Sequence, residues 1–487
     1  MDPYQPKEEC GIFGIYNQQD AAAYTALGLH ALQHRGQESA GIVTYDGEVF
    51  HSHRAHGLVG DNFSSEDVIA NLPGHVAMGH VRYSTAGETA LRNIQPLFAH
   101  YEFGGMSIAH NGNLTNVNEI RERLIKRGSI FQSSTDTEII IHLVSTSMQY
   151  DLIDRLTDAL KEVKGAYSLI AMTNKRIIGV RDPHGVRPLS IGRLGDSYII
   201  ASETTAFDIN NATFVREVEP GEIVWIDRKG IHSRKPFAPV PPKFCIFEYV
   251  YFSRPDSVVE GKTVAEVRKR IGMELAKEAP VEADVVIPVP DSGVPGAIGY
   301  SRESNIPFDM AIIRNHYVGR TFIQPTDEIR HLGVRLKHLT CKESVEGKRV
   351  VLVDDSIVRG TTSTKIVQMI RQAGATEVHI RVASPPVTDP CFYGIDTPVK
   401  EELMASHNSI EKMRELIGVD SLEYLSIDGL YRAVDEAKRN NEIPQYCDAC
   451  FTGEYPIATP DLTNGNSNIV PLSLLRDFLD RTRFKKH

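Results

Sequence analysis

The sequence predicts two domains in series, an α+β domain followed by an α/β domain. Three observations carry this. The chain has 487 residues, too many for one ordinary core and suited to two of about two hundred residues each. KPFAPVPPKF (Lys235–Phe244) places four prolines in ten residues, which neither a helix nor a sheet ladder tolerates, so it reads as a linker. Across it the hydrophobic pattern changes, from mixed runs before to short, uniformly apolar runs after, as a buried parallel sheet requires.

Before the linker, GIFGIY, AGIVTY, HVAMGHV, YSLIAMT, SYIIAS and GEIVWI read as strands. AAAYTALGLHALQH and TDTEIIIHLVSTSMQY read as helices. After it, ADVVIPVP, DMAIIR, KRVVLVDD and EVHIRVAS read as buried strands. The segment from Ser257 to Glu278 and TTSTKIVQMIRQAGA supply crossover helices. From about Asn464 the chain turns polar and then basic, so residues 466–487 form a loosely docked tail. The domains therefore span 10–234 and 245–465, with 235–244 between them.

Hydrophobic residues make up 41% and charged residues 24% of the chain, an ordinary globular balance. Net charge is −10, which argues against a general nucleic-acid binder. An anionic small substrate needs a local basic patch. No run is apolar long enough to span a bilayer, and MDPYQPKEE lacks the apolar core of a secretory signal. A cytoplasmic protein, bound to no membrane, is expected. The six cysteines, Cys10, Cys245, Cys341, Cys391, Cys447 and Cys450, are too few and scattered for a disulfide framework.

The most specific string is KRVVLVDDSIVRGTTSTK. Its apolar run delivers Asp354 and Asp355 at the carboxyl end of a strand, where open α/β sheets bind ligands. Gly360, Thr361, Thr362 and Ser363 follow at a helix start, where small hydroxyl residues and free N–H groups cradle phosphate. Two carboxylates beside a phosphate need a partner, either a sugar diol or Mg²⁺. A nucleotide P-loop in its usual form is absent. In VVIPVPDSGVPGAIGY, Asp291, Ser292 and Gly293 make a second turn between strand and helix. Arg314, Arg320, Arg330, Arg335 and Lys337 crowd one segment with little helical period.

These strings resemble the phosphoribosylpyrophosphate (PRPP) motif of type I phosphoribosyltransferases. The resemblance implies that Asp354 and Asp355 face the ribose hydroxyls and Mg²⁺. Residues from Arg359 to Thr364 would wrap the 5′-phosphate. Asp291, Ser292 and Gly293 would form the pyrophosphate loop, with Ser292 joining the metal. The basic segment, with Arg314, Arg320 and Lys337, would be a lid that excludes water and steadies the leaving group.

Five strings punctuate the first domain: CGIFGI, HRGQESAG, HVRYSTAG, AHNGNL and SSTDTE. Each has an ordinary explanation. Cys10 could open a strand as a core residue. Arg82 could be an edge charge, Asn111-Gly112 a hairpin turn, and Ser134, Thr135 and Asp136 a helix cap. Together, in this order, they resemble the class II glutamine amidotransferases, enzymes with an N-terminal nucleophile. The fold implied is the four-layer α+β sandwich of N-terminal nucleophile hydrolases. Cys10 would attack the glutamine carboxamide, with Arg82 on the α-carboxylate and Asp136 on the α-ammonium. Asn111 and the Gly112 N–H would form the oxyanion hole. A thiol of pKa about 8.5 needs a base, and an α-amino group of pKa about 7.7–8.0 can serve. That group is free only after cleavage between Glu9 and Cys10, so residues 1–9 would be a propeptide.

The two halves in this order resemble the glutamine PRPP amidotransferase family nearly end to end. The reaction implied is glutamine, PRPP and water giving 5-phosphoribosylamine, glutamate and pyrophosphate, the first step of de novo purine synthesis. An internal ammonia channel, a homotetramer and feedback inhibition by purine nucleotides come with the resemblance. Cys447 and Cys450 form Cys-x-x-Cys, and with Cys245 and Cys391 make four thiols. Spacing alone suits structural Zn²⁺ or an iron–sulfur cluster, or four buried thiols. FCIFEYVYF, DPCFYGID and CDACFTGEYP resemble the family branch that carries a [4Fe–4S] cluster and a propeptide. Cys341 fits no constellation. A ligand-sensing regulator would need neither nucleophile nor lid, and a glucosamine-forming amidotransferase would need no PRPP motif.

Overall fold

The computed structural model describes residues 10–82, 90–102, 104–314, 338–395, 397 and 399–463. The leader 1–9, the second half of HVRYSTAG, Arg320, Arg330, Arg335 and Lys337 of the basic segment, and the tail 466–487 lie outside the described residues.

The strands of the first domain are β1 (Gly11–Tyr16), β2 (Ser39–Tyr45), β3 (Phe50–His56), β4 (Val76–Arg82), β5 (Leu97–Tyr101), β6 (Gly104–Leu114), β7 (Gly165–Thr173), β8 (Ile177–Arg181), β9 (Ser190–Leu194), β10 (Ser197–Ala201), β11 (Thr213–Glu217), β12 (Ile223–Asp227) and β13 (Gly230–Arg234). They form two sheets, ordered β11-β9-β10-β1-β4-β2-β3 and β13-β12-β8-β7-β6-β5. Ile12, Met78 and Ile200 of the first sheet meet Ala109, Ile170 and Val224 of the second in a shared core. Helix α1 (Ala21–Ala31) covers the first sheet, with Leu29 among Phe13, Ile15 and Val81. Helices α2 (Val117–Lys126), α3 (Thr137–Thr146) and α4 (Leu152–Glu162) cover the second through Ile120, Ile140 and Leu156. This is the expected four-layer sandwich.

Asn111 and Gly112 are not a hairpin turn. They lie inside β6, paired with Ser168 and Tyr167 of β7. Gly112 has φ +136°, and a Cβ there would sit 2.1 Å from the Ala166 carbonyl oxygen, so only glycine fits the strand at that point.

The second domain carries β14 (Phe244–Cys245), β15 (Val285–Pro288), β16 (Arg349–Asp354), β17 (Glu377–Val382), β18 (Ser421–Tyr424) and β19 (Tyr446–Cys447). β15, β16, β17 and β18 form one parallel sheet in that order. Helices α5 (Val264–Glu278), α6 (Val294–Ser304) and α7 (Thr361–Gln372) belong to the same unit. Two expectations need correction. DMAIIR does not join the parallel sheet: Ile312–Arg314 pairs antiparallel with His338–Thr340. Ile312 is buried but Ile313 and Arg314 are exposed, so one covered face suffices. The helix expected from Ser257 begins only at Val264. Glu260 and Gly261 both take positive φ, and Val258–Val259 turns back on Lys262–Thr263 as a tight hairpin.

A buried ionic network joins the domains. Arg35 bonds Glu203 of the first domain and reaches Glu248 of the second at 2.5 Å. Arg187 lies 3.4 Å from Glu248, and Ser253 Oγ donates to Glu248 at 2.6 Å. All four charged side chains are essentially inaccessible. Removing one partner from such a network leaves buried charge uncompensated. Glu248→Ala should cost about 3–5 kcal/mol, and Glu248→Gln less, read as shifts in the denaturation midpoint.

Candidate active site

The first half-site gathers strings that are remote in sequence. Gly11 pairs with Val81 across β1 and β4, which brings half-buried Cys10 to the end of the pair where Arg82 lies. The HRG turn packs on the same spot: a Cβ on Gly36 would be 2.6 Å from the Arg82 nitrogen. Arg82 donates to the Asn93 carbonyl at 2.9 Å. Asn93 in turn donates to Ser134 Oγ at 3.0 Å and accepts from the Ser134 N–H at 3.1 Å. Asn93 thus ties HVR to SSTD, and no local pattern in the sequence marks it.

Asp136 stands at the N-cap of α3. Its Oδ2 accepts from the Leu114 N–H at 3.0 Å and lies 3.5 Å from His110 Nδ1. Burial pushes its carboxyl up, but His110 and the Leu114 and Thr137 N–H groups outweigh that and hold it below the usual range. It is an anion at the end of β6, suited to an ammonium group. Asn111 is fully buried, and neither its amide oxygen nor its amide nitrogen has a hydrogen-bond partner among the described residues. A buried amide left unsatisfied costs about 1–3 kcal/mol, so a ligand there has a strong donor to meet. Burial, followed by the charge of Arg82, lowers the buried His80 to about 3, so it is neutral at physiological pH.

The second half-site lies at the carboxyl end of the parallel sheet. Asp354 and Asp355 are buried. Burial and the neighbouring Asp355 push Asp354 well above the usual carboxylate range. Burial raises Asp355 too, against hydrogen bonds from Ser292 and Ser356 and the charge of Arg268. Ser292 therefore reaches Asp355. Gly293 allows this approach, since a Cβ there would be 2.5 Å from the Val353 carbonyl oxygen. Gly360, at φ +76°, opens α7. Ser363 is buried in the first turn, and the buried Thr361 Oγ1 has no partner among the described residues. Thr362 belongs to that turn as well.

Arg314 bonds Asp291 at 2.5 Å, so those two expected residues meet each other. Arg359 pairs with Glu402 at 2.9 Å rather than pointing to an open cradle. Arg268 of α5 went unrecognised in the sequence because VRKR reads as a solvated helix face. It is buried, donates to the Tyr249, Tyr251 and Ser253 carbonyls, and burial lowers it to about 10 against the charge of Asp355.

Cys245 and Cys447 face each other across the parallel pair β14–β19. The Cys450 carbonyl accepts from the N–H groups of Thr388 and Asp389, which brings the Cys391 loop to the same place. Burial pushes Cys447 up to about 12 and Cys450 well above its ordinary value, and the other cysteines raise Cys450 further. Among the described residues no group of three or more His, Cys, Asp or Glu side chains closes on a point as a single-ion site. Cys245, Cys447 and Cys450 are buried and Cys391 is half-buried, four thiols whose donor chemistry would suit Zn²⁺ or an iron–sulfur cluster. Cys341 is exposed and apart from them.

Asp136 also gives a pH signature. Its folded pKa lies below the unfolded value of about 3.9, so its stabilisation is complete above that value and fades as pH falls through the folded one. The stability gap between wild type and Asp136→Asn should be constant above about pH 5 and close below about pH 4, as followed by denaturation at each pH.

Two family profiles match the chain: the glutamine amidotransferase domain over residues 80–208 and the phosphoribosyl transferase domain over 258–384. An amidophosphoribosyltransferase of Rhizobium etli is 56% identical over 96% of this chain and 95% of its own length. That of Bacillus subtilis is 49% identical over 92% of this chain and 94% of its own length. A solved structure described as the allosteric regulatory enzyme of purine biosynthesis superposes with TM-score 0.90 at 46% identity, over 96% of this chain and 99% of that one. The B. subtilis glutamine PRPP amidotransferase complexed with ADP and GMP superposes with TM-score 0.89 at 46% identity, over 96% and 100%. The chain belongs to the amidophosphoribosyltransferase family, glutamine-dependent pentosyltransferases of purine biosynthesis.

Proposed function

We propose a division of labour in which Cys10 releases ammonia from glutamine and the Asp354–Asp355 site spends it on PRPP. The overall reaction is the glutamine-dependent amination of PRPP, giving 5-phosphoribosylamine, glutamate and pyrophosphate. The observation that carries the residue assignment is the fully buried, unpartnered Asn111 amide, next to His110, whose carbonyl meets His80 of β4 at 3.2 Å. The Cys10 thiolate attacks the carboxamide carbon, and the developing oxyanion takes the Asn111 amide and Gly112 N–H. Arg82 and Asp136 hold the α-carboxylate and α-ammonium. The free α-amino group of Cys10 takes the thiol proton and returns it to the leaving ammonia. This requires removal of residues 1–9. Water then releases glutamate from the thioester.

In the other half-site, Gly360, Thr361, Thr362 and Ser363 receive the 5′-phosphate, with the unpartnered Thr361 hydroxyl turned to it. Asp354 and Asp355 take the ribose hydroxyls, and Asp291, Ser292 and Gly293 the pyrophosphate. Arg314, and Arg320 and Lys337 outside the described residues, would bind the pyrophosphate, and Arg359 would contribute to the cradle. Asp354, Asp355 and Ser292 would hold Mg²⁺, which would supply charge neutralisation for the pyrophosphate leaving group; two buried carboxylates are costly without a cation. Ammonia passes internally to the ribose C1.

Cys245, Cys391, Cys447 and Cys450 would hold a [4Fe–4S] cluster that ties the linker to the chain's end. Feedback control by purine nucleotides is supported by the ADP and GMP complex of the B. subtilis relative. A homotetramer in the cytoplasm completes the reading; no helix among the described residues is long and apolar enough to cross a membrane.

Pyrophosphate release with glutamine or with free ammonia as nitrogen source separates the half-sites. Cys10→Ala should lose the glutamine reaction and keep the ammonia reaction. A variant whose leader cannot be cleaved should lose about 10²–10⁴-fold in glutamine turnover, the contribution of a general base. Full glutamine turnover in either variant refutes the assignment. Anaerobic intact mass, with a start at Cys10 and four irons and four sulfides per chain, checks processing and cluster together.

A further inference from the structure

The loop that carries Cys391 also touches the oxyanion strand of the other domain. Gly394 has φ +116° and faces Gly112: a Cβ on Gly394 would lie 2.9 Å from the Gly112 Cα and 3.0 Å from its carbonyl carbon. On its other flank Gly112 is pressed against the Ala166 carbonyl. The next residue, Asn113, donates its side-chain amide to the Phe392 carbonyl at 2.9 Å. The same loop is anchored by Arg187 of the first domain, which donates to the Tyr393 carbonyl at 3.0 and 2.9 Å.

A second strand of contacts reinforces the first. Tyr393 exchanges hydrogen bonds with the Ile457 backbone at 2.7 and 2.9 Å. Just beyond, the Ala458 carbonyl accepts from Thr115 Oγ1 at 2.7 Å, and Asp461 accepts from the Asn118 N–H at 2.9 Å. Asp461 thereby caps α2 from the other domain, because Asn116, at the N-cap, makes no capping bond of its own. The end of β6 from Gly112 to Thr115, and the helix after it, are therefore bracketed by second-domain backbone.

A glycine at φ +136° has no side chain to fix its peptide plane, and the direction of its N–H depends on what presses on it. We propose that Gly394 and the Phe392 carbonyl are positioning groups for the oxyanion hole, so that the second domain completes the glutamine half-site. This rests on the assignment of Asn111 and Gly112 above. Misplacing an oxyanion donor lowers turnover without weakening ground-state binding, because the donor meets charge that develops only during reaction.

Full-length, leader-processed protein purified without air would be assayed at saturating PRPP with glutamine and, separately, with ammonium chloride. Gly394→Ala should lower kcat for glutamine by about 10- to 100-fold, less than full loss of an oxyanion donor. KM for glutamine and the ammonia-dependent rate should stay within about twofold of wild type. Asn113→Ala, which deletes the bond to Phe392 without adding bulk, should move kcat in the same direction and decides the matter if Gly394→Ala does not fold. Unchanged glutamine kcat in the decisive variant, or an equal fall in both nitrogen sources, overturns the proposal. Asn111→Ala is the reference: if it leaves glutamine kcat intact, the oxyanion assignment itself falls, and this inference with it.

Discussion

The Arg35 guanidinium, sealed between Glu203 of one domain and Glu248 of the other, fixes the geometry on which both half-sites depend. Each of these groups loses several kcal/mol of hydration on burial, and only the others repay it. The domains cannot part without exposing charges to an apolar wall or flooding it. Glu203 is held well ionised: burial opposes this, and Arg35 and His34 overcome it. Ser253, Ser257 and the Arg254 N–H fill the remaining acceptor sites on the two carboxylates. The network is thus a rigid polar plug rather than a wet surface bridge. Arg35 follows Leu32 and precedes Gly36, the two residues packed on the strand ends of Gly11 and Arg82, so the plug is continuous with the nucleophile's surroundings.

Against that rigid frame, the polar groups left unsatisfied are informative. Most buried side chains in the chain have partners, as native proteins require. The Asn111 amide and the Thr361 hydroxyl have none among the described residues. The Asp354–Asp355 pair is unsatisfied in another sense, since two buried carboxylates raise one another's pKa until a cation or diol arrives. The cysteine cluster follows the same logic, with burial keeping Cys447 and Cys450 protonated unless a cation supplies the missing charge.

The architecture was legible where the pattern is local. Three of the four uniformly apolar runs became parallel strands. The phosphate turn was legible because Gly360 and its hydroxyl neighbours must adjoin a helix start. The glutamine site was legible only as five separate strings, because what unites them is antiparallel register and the packing of α3 on the sheet. Asn111-Gly112 carries the pattern of a turn, but the positive φ of Gly112 serves close approach within a strand, not chain reversal. Asn93 and Arg268 were invisible, one lacking any motif and the other hidden in a run of charges. The contact of Gly394 with Gly112 joins residues nearly three hundred positions apart, and no periodicity reports such a meeting.

The central claim is that two half-sites locked by a buried seam hand nitrogen from one to the other without release. The most direct test supplies glutamine labelled with ¹⁵N in its amide together with PRPP and an excess of unlabelled ammonium. The isotope is then read in the phosphoribosylamine, trapped as it forms. The account predicts product carrying the label undiluted by the surrounding ammonium. Label diluted to the bulk isotope ratio would mean that ammonia escapes to solvent before use, and would contradict it.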